Sequence, residues 1–110
     1  MIDGLWTVEF RSTISRFGSG VLLIINNNRL LGGDDGYYYS GTCKVTENKI
    51  RATIDVTRYN KDSVSVFGDY DHYELTLDGV IDEYQFAVKG TFTNKPQFQI
   101  SVVGKKREDL

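Results

Sequence analysis

Strict alternation of apolar and polar side chains is the feature that most restricts the fold of this chain. Ile50, Ala52, Ile54 and Val56 alternate with Arg51, Thr53, Asp55 and Thr57. Successive side chains of a β-strand point to opposite faces, so each alternating segment is predicted to be a strand with one buried and one wet face. The other such segments run through Trp6–Phe10, Tyr73–Leu77, Tyr84–Phe92 and Phe98–Val102.

Turn-forming residues separate these segments at intervals of about ten residues, which is typical of an antiparallel sandwich or barrel. No segment shows the apolar spacing of an amphipathic helix, and the best place for a helical turn is Val80–Tyr84. Closure of the sheet would remove its exposed edges. The predicted turns are Asn26–Asn28, Gly32–Gly33, Glu47–Asn48, Gly68–Asp69, Asp78–Gly79 and Asn94–Pro96.

The length of 110 residues, 40% of them hydrophobic, suits one domain with one core. We therefore predict an all-β fold for residues 1–110, a small antiparallel up-and-down β-barrel with about eight strands.

Charge and cysteine content narrow the class of protein. The net charge is -2, and the only basic run is Lys105–Arg107. Nucleic-acid binding requires a patch of Lys and Arg, so direct binding to DNA or RNA is not expected. The longest apolar run, Val21–Ile25, is too short to span a membrane, and no signal peptide is recognisable. Because Cys43 is the single cysteine, no intramolecular disulfide can form, and a cytoplasmic location is expected.

The sequence lacks the groups of residues that usually support catalysis or metal binding. One histidine and one cysteine cannot supply the four ligands of a usual structural zinc site. Cys43 lies on the apolar side of its strand, as a buried small hydrophobe would. The segment "GDYDHY" is interpreted as a polar loop that leads into a strand near His72, rather than as a metal loop. The sequence therefore predicts a protein that is not an enzyme and that needs no metal or cofactor.

The segment "LLGGDDGYYYSG" combines glycines, aspartates and three consecutive tyrosines. A phosphate-binding loop would need a helix after the glycines, but strand-forming tyrosines follow instead. We expect a bend at Gly32–Asp34, with Tyr37 and Tyr39 pointing into the barrel and Tyr38 pointing out. Gly41 would leave room for a neighbouring strand. The two inward tyrosines could fill the barrel or line a ligand cavity.

Four segments also occur in the order and spacing of a known family. They are "DGLWTVEF", "GVLLI", "LLGGD" followed by "YYYSGT", and "VTRYN", which together span residues 1 to 60. In these segments the chain resembles the GrlR-like family of negative regulators of type III secretion genes. The resemblance implies a calycin-like, lipocalin-type barrel that can dimerise, has no catalytic activity and binds a transcriptional activator. The family's best-known member has an acidic run where this chain reads "VTENK", with Glu47 as its one acid.

Two functions follow as hypotheses. In the first, a non-catalytic cytoplasmic protein sequesters a protein partner, which the resemblance suggests is a transcriptional regulator. Its predicted contact residues are acids in turns, namely Asp34, Asp35, Glu47, Asp82 and Glu83. An outward apolar face with Leu23 and Val103 would serve in a homodimer.

In the second hypothesis, the barrel carries or senses a small apolar or acidic molecule, with Arg58 at the rim to meet an acidic group. A cavity of roughly 300 Å³ or more would favour a ligand, and a filled interior would favour a protein partner. The predicted pocket residues are Trp6, Phe10, Tyr37, Tyr39, Arg58, Tyr73, Tyr84, Phe86 and Phe98.

Overall fold

Eight antiparallel strands close into one barrel in a computed structural model that describes residues 2–14 and 16–110. Each strand pairs with the next along the chain, and β8 pairs with β1 to complete the circle. The prediction of an all-β, eight-stranded, up-and-down barrel is confirmed. The strands are β1 (Gly4–Ser12), β2 (Phe17–Ile25), β3 (Arg29–Gly33), β4 (Tyr37–Thr46), β5 (Lys49–Arg58), β6 (His72–Ile81), β7 (Gln85–Phe92) and β8 (Lys95–Asp109).

The two ends of the barrel differ in what closes them. Strand direction alternates, so the β1–β2, β3–β4, β5–β6 and β7–β8 connections share one end, which we call the mouth end. The start of β1, the end of β8 and the other three connections lie at the opposite end, which we call the base. The β5–β6 connection, residues 59–71, is the longest of the seven.

The alternating pattern determines which face of each strand is buried. In β5 the four apolar residues from Ile50 to Val56 are buried, and the residues between them are exposed. Tyr37 and Tyr39 are also buried, whereas Tyr38 is about half exposed, as predicted. Cys43 is buried too, and burial raises the pKa of its thiol above the ordinary value.

Some predicted turns are correct. Asn26 and Asn27 connect β2 to β3 with φ angles of 54° and 59°, and Glu47 connects β4 to β5 with φ 57°. Asparagine tolerates this left-handed conformation better than most residues, which explains the asparagine run.

Two predicted turns are wrong, because Gly32–Gly33 and Asp78–Gly79 lie within β3 and β6. A Cβ atom on Gly32 or Gly79 would collide with a backbone carbonyl of the adjacent strand. These glycines permit close strand approach, as Gly41 also does next to the carbonyl of Thr53. The bend after β3 therefore begins at Asp34, later than predicted.

Two further boundaries differ from the prediction. Only Asn94 of the predicted Asn94–Pro96 turn precedes β8, which begins at Lys95. Val80–Tyr84 contains no helical turn, since β6 continues to Ile81 and a tight turn follows.

Aromatic side chains cover part of the mouth end. The β5–β6 connection folds inward there, with Val66 and Phe67 buried and the Ser12 hydroxyl donating to the Val66 carbonyl at 2.5 Å. The ring centroids of Phe67 and Phe92 are 4.6 Å apart. We call this group the aromatic cluster, and its members are Phe67, Tyr70, Tyr73, Phe92 and Phe98.

Trp6 closes the base. It is fully buried, its indole Nε1 donates to the Ile2 carbonyl at 3.0 Å, and its ring lies 5.3 Å from that of Phe86. Within residues 2–14 and 16–110, no helix is long and apolar enough to cross a membrane.

Candidate functional site

A cavity of about 690 Å³ lies inside the barrel. This volume falls within the usual range for small-molecule sites, roughly 300–1,000 Å³. Inward-facing side chains from all eight strands form most of its wall, with Tyr37 and Tyr39 contributed by β4. The apolar members from the other seven strands are Val8, Phe10, Leu22, Ile24, Leu30, Ile50, Ala52, Ile54, Val56, Leu75, Leu77, Phe86, Val88, Ile100 and Val102.

Small inward-facing residues help to keep this interior open. An eight-stranded barrel is just wide enough for side chains to fill it or for one small ligand to occupy it. Gly18 and Gly20 occupy inward positions of β2, where other strands carry larger side chains. A Cβ atom on Gly18 would collide with the Phe10 ring, and one on Gly20 would lie 3.0 Å from the Tyr39 hydroxyl. These glycines therefore leave space for two aromatic rings at the side of the cavity.

The cavity reaches the surface at the mouth end. Its rim is formed by the start of β2, the β3–β4 turn and residues 63–65 of the β5–β6 connection. Phe17 is 74% exposed and Val64 is 56% exposed, so two apolar side chains stand at the opening. An apolar molecule that enters the barrel would meet these side chains first.

The Asp34 carboxylate is held at this rim by the turn that it begins. Its Oδ1 accepts hydrogen bonds from the backbone amides of Gly36, at 2.9 Å, and Tyr37, at 2.8 Å. Its Oδ2 accepts a short hydrogen bond from the Tyr39 hydroxyl. Aspartate commonly stabilises turns in this way, and here the turn fixes the carboxylate beside the cavity.

The tyrosines around the upper cavity stay neutral at physiological pH. Burial, followed by the hydrogen bond to Asp34, raises the pKa of Tyr39 far above its ordinary value. Burial likewise raises the pKa of Tyr73 and, to a smaller degree, of Tyr37. The Tyr37 hydroxyl donates to the Tyr70 carbonyl at 2.6 Å. These side chains therefore contribute apolar rings and hydrogen bonds but no charge.

The structure brings five of the predicted pocket residues to the cavity and leaves four outside it. Phe10, Tyr37, Tyr39, Tyr73 and Phe86 are in its lining. Of the others, Trp6 closes the base, Phe98 packs in the aromatic cluster, Tyr84 lies in the β6–β7 turn and Arg58 is engaged in ion pairs.

The corrections for Trp6, Phe98 and Tyr84 have different physical causes. Trp6 and Phe98 face inward as predicted, but each packs against neighbouring rings, Trp6 against Phe86 and Phe98 against Phe67 and Phe92, and neither is in the cavity lining. Tyr84 precedes β7, so the alternation that begins with Phe86 does not extend to it, and it is 71% exposed.

The prediction for Arg58 is wrong because the guanidinium group already binds carboxylates. Its Nη1 lies 2.6 Å from Asp69 Oδ1, its Nη2 lies 2.6 Å from Asp71 Oδ1, and Nη1 also donates to the Ser63 carbonyl at 2.9 Å. The hydrogen bonds to Asp71 and Asp69 raise the pKa of Arg58. Arg58 therefore fixes the β5–β6 connection and is not placed to receive an acidic ligand group.

The predicted acidic contact residues do not form one surface. Asp34 and Asp35 lie at the mouth end, whereas Glu47, Asp82 and Glu83 lie in connections at the base. Asp82 also has a local role, because its Oδ1 accepts from the amides of Tyr84 and Gln85, at 2.8 Å and 2.9 Å. These hydrogen bonds lower the pKa of Asp82. The length of the strands separates the predicted acidic residues into two groups, and their role in binding a partner stays a prediction.

Sequence reasoning missed the apolar rim residues Phe17 and Val64. Phe17 is on the outward side of β2 and comes to the rim only because the strand starts there. Val64 belongs to a connection without periodicity, so no pattern could have placed it. The inward glycines of β2 could have been found, since Gly18, Gly20 and Leu22 continue a period of two.

A second, outer groove runs over β1, β2 and β8. It includes Phe17 and Val103, which is 50% exposed, along with Glu9 and Arg11. Leu23, also predicted to face outward, is half-buried. In the described part of the chain, no three His, Cys, Asp or Glu side chains are grouped to hold a metal ion.

Comparison with known proteins adds support for the fold alone. No protein-family model matches the sequence, and no curated protein matches it. Three solved chains match the structure, and one is a redesigned β-barrel that is 15% identical. That match covers 97% of this chain and 92% of the designed chain, with a TM-score of 0.63. Membership of the GrlR-like family and the calycin classification stay predictions.

Proposed function

We propose that the protein binds one small, largely apolar molecule inside its barrel. The observation that carries this proposal is the cavity of about 690 Å³, which opens at the mouth end. A filled interior would have favoured a protein partner, whereas a cavity larger than roughly 300 Å³ favours a ligand. The cavity therefore makes ligand binding, the second of the two hypotheses, the better supported.

The character of the wall indicates an apolar ligand. Ligand surface that moves from water into contact with the aliphatic wall gains about 25 cal/mol for each Å² of apolar area buried. The lining contains serines and the two aspartates Asp34 and Asp35, but no hydrogen bond among the described residues joins a lining serine hydroxyl to either carboxylate. The Asp34 carboxylate accepts hydrogen bonds from the backbone amides of its own turn. Cys43 is outside the lining, and burial raises the pKa of its thiol. These features support binding without chemical turnover.

Binding can be tested with N-phenyl-1-naphthylamine, a neutral apolar probe whose fluorescence rises in an apolar environment. Recombinant protein would first be stripped of bound lipid by refolding from denaturant. We expect a saturable increase in fluorescence that corresponds to one probe per chain. A linear, non-saturating signal from correctly folded protein would refute the proposal.

A matched pair of variants can locate the probe within the barrel. Ala52 lines the cavity from the middle of β5, and Thr53, its neighbour, is exposed on the outside. Ala52→Phe should fill part of the cavity and weaken probe binding by about tenfold, or 1.4 kcal/mol. Thr53→Phe should leave the affinity within about twofold, a difference of less than 1 kcal/mol. If both variants bind equally well, the probe is not inside the barrel.

A second proposal, sequestration of a protein partner, rests on the outside of the barrel. Phe17, Val21 and Val103 are 74%, 47% and 50% exposed, and all three belong to β2 or β8. Exposed apolar patches often mark protein-binding surfaces. The proposed partner is a regulatory protein in the cytoplasm, as the family resemblance implies. Affinity capture from the host with Val21→Lys as the control bait would test this, because a specific partner should be lost with the variant.

A further inference from the structure

We propose that the cavity selects an amphipathic amine, with the apolar tail in the barrel and the protonated nitrogen at Asp34 and Asp35. This inference rests on the proposed ligand-binding function and names the chemical class of the ligand. It reverses the sequence-based expectation of an acidic ligand group at the rim.

The distribution of charge in the lining is the first argument. Asp34 and Asp35 are its only charged residues, and both stand at the rim. No lysine, arginine or histidine of the described chain contributes to the lining. Within the lining, an anionic head group would therefore meet two like charges and no opposite charge, whereas an ammonium group would meet two opposite charges. The Arg11 guanidinium lies outside the lining, 5.6 Å from the ring of Phe17.

The nearby cation and the phenol donors are already engaged. The Arg58 side chain is only 12% exposed and binds Asp69 and Asp71. The Tyr37 hydroxyl donates to the Tyr70 carbonyl, and the Tyr39 hydroxyl donates to Asp34. A carboxylate ligand would have to break one of these contacts to accept a hydrogen bond from Arg58, Tyr37 or Tyr39.

The acceptor capacity at the rim suits an ammonium group. An ionised carboxylate offers about four acceptor sites, and Asp34 uses three of them for Gly36, Tyr37 and Tyr39. Asp35 is exposed at the same rim. An ammonium group donates three hydrogen bonds, so it could bind the free site on Asp34 together with Asp35 or a serine hydroxyl of the rim.

The proposal is tested by competition among three compounds with the same tail. Dodecylamine, dodecanol and dodecanoate, each below its micelle concentration, would displace N-phenyl-1-naphthylamine from the protein at pH 7. We expect dodecylamine to be at least tenfold more potent than dodecanoate, which is about 1.4 kcal/mol, with dodecanol between them. Equal or greater potency of dodecanoate would overturn the inference.

Variants that remove the charges of Asp34 and Asp35 test whether these two residues cause the preference for the amine. Asp34→Asn combined with Asp35→Asn removes both charges with little change in shape. In that variant the potency of dodecylamine should come within about threefold of that of dodecanol, a residual difference below 1 kcal/mol. The control, Glu47→Gln with Glu108→Gln, makes the same charge change at the base and should keep the full preference. A preference that survives in the rim variant would show that other groups select the amine.

Failure of the inference and failure of the proposed function are distinguishable. If the neutral probe does not bind at all, ligand binding itself is refuted. If the probe binds and the three competitors show no preference for the amine, the barrel is an apolar carrier without head-group selection.

Discussion

At the scale of single residues, Trp6 illustrates how one side chain closes an open-ended structure. It fills the base of the barrel, satisfies its indole N–H with the Ile2 carbonyl and contacts Phe86. Because it lies outside the cavity lining, its contribution is to stability and not to ligand contact.

Substitution of Trp6 should therefore be costly. We expect Trp6→Ala to lower the free energy of unfolding by about 3–5 kcal/mol, since it removes a fully buried aromatic side chain. Tyr84→Ala removes a ring that is 71% exposed and should change stability by less than about 0.5 kcal/mol. Urea unfolding followed by circular dichroism suits both variants, because Trp6 is the only tryptophan. Similar losses from both would contradict the placement of Trp6 at a buried base.

The buried tyrosines make a prediction about alkaline pH. Burial raises the folded-state pKa of Tyr37, Tyr39 and Tyr73 above the ordinary value of 10.0. Stability from a raised pKa is fully present below the unfolded pKa and is lost as pH rises toward the folded pKa. Ultraviolet titration should therefore show at least two tyrosines, Tyr39 and Tyr73, ionising only when the barrel unfolds, above pH 10.0. Ionisation of Tyr39 and Tyr73 near pH 10.0 in the folded state would be the contrary result.

At the scale of strands and connections, the alternation of apolar and polar residues predicts which face of each strand is buried, because successive side chains point to opposite faces. In β5 every second residue from Ile50 to Val56 is buried, so the inward position of Ile54 and the outward position of Thr53 could be predicted from the alternation. The glycines could not be interpreted in the same way. Gly79 looks like a turn residue in the sequence, but in the sheet it relieves contact with the carbonyl of Ala87. That contact depends on which strands are neighbours, which local sequence does not specify.

The same limit applied to the candidate site. Inward aromatics could be predicted, but whether they line a cavity depends on packing across the barrel, as Phe98 and Trp6 show. The ion pairs of Arg58 depend on the path of the β5–β6 connection, which has no periodicity.

The ion pairs of Arg58 with Asp69 and Asp71 give a prediction for the β5–β6 connection. Arg58→Gln should free residues 59–71 from β5, because it removes the contacts with Asp69 and Asp71. Amide hydrogen exchange should then become at least about tenfold faster in this segment, with the strands unchanged. Arg51→Gln is the control, because its ion pair with Asp78 joins two exposed side chains within the sheet. Equal exchange in both variants would show that other contacts, such as the aromatic cluster and the Ser12–Val66 hydrogen bond, hold the connection without Arg58.

The β6–β7 turn provides a prediction at acid pH. Hydrogen bonds from the amides of Tyr84 and Gln85 lower the folded-state pKa of Asp82 below its ordinary value of 3.8. A lowered pKa contributes stability above the unfolded value, and that contribution is lost as pH falls through the folded pKa. Carbon-13 NMR of the carboxyl group should show Asp82 titrating below 3.8 in the folded protein. A midpoint above 3.8 would mean that the turn does not hold the carboxylate.

At the scale of the whole molecule, the barrel has apolar surfaces on both sides of its wall. The inner surface lines the cavity. On the outside, the strand register places Leu5 beside Leu23 and Leu23 beside Leu31, a row across β1, β2 and β3 that we call the leucine row. All three leucines are half-buried, and the exposed Val21 lies next to them on β2. A sheet face of this kind is suited to a partner.

A second copy of the chain is the predicted partner for the leucine row. A two-fold interface would place the same face on both subunits, and a stable pair typically buries about 800 Å² on each. Light scattering during gel filtration should give a mass of twice 12.5 kDa at high concentration. Leu23→Lys should restore the monomer mass without unfolding the barrel, because Leu23 faces outward. Thr53→Lys, on the outside of β5, should still dimerise. A mass of 12.5 kDa for the unmodified protein at every concentration would contradict the dimer, and a different protein would then be the candidate partner for the leucine row.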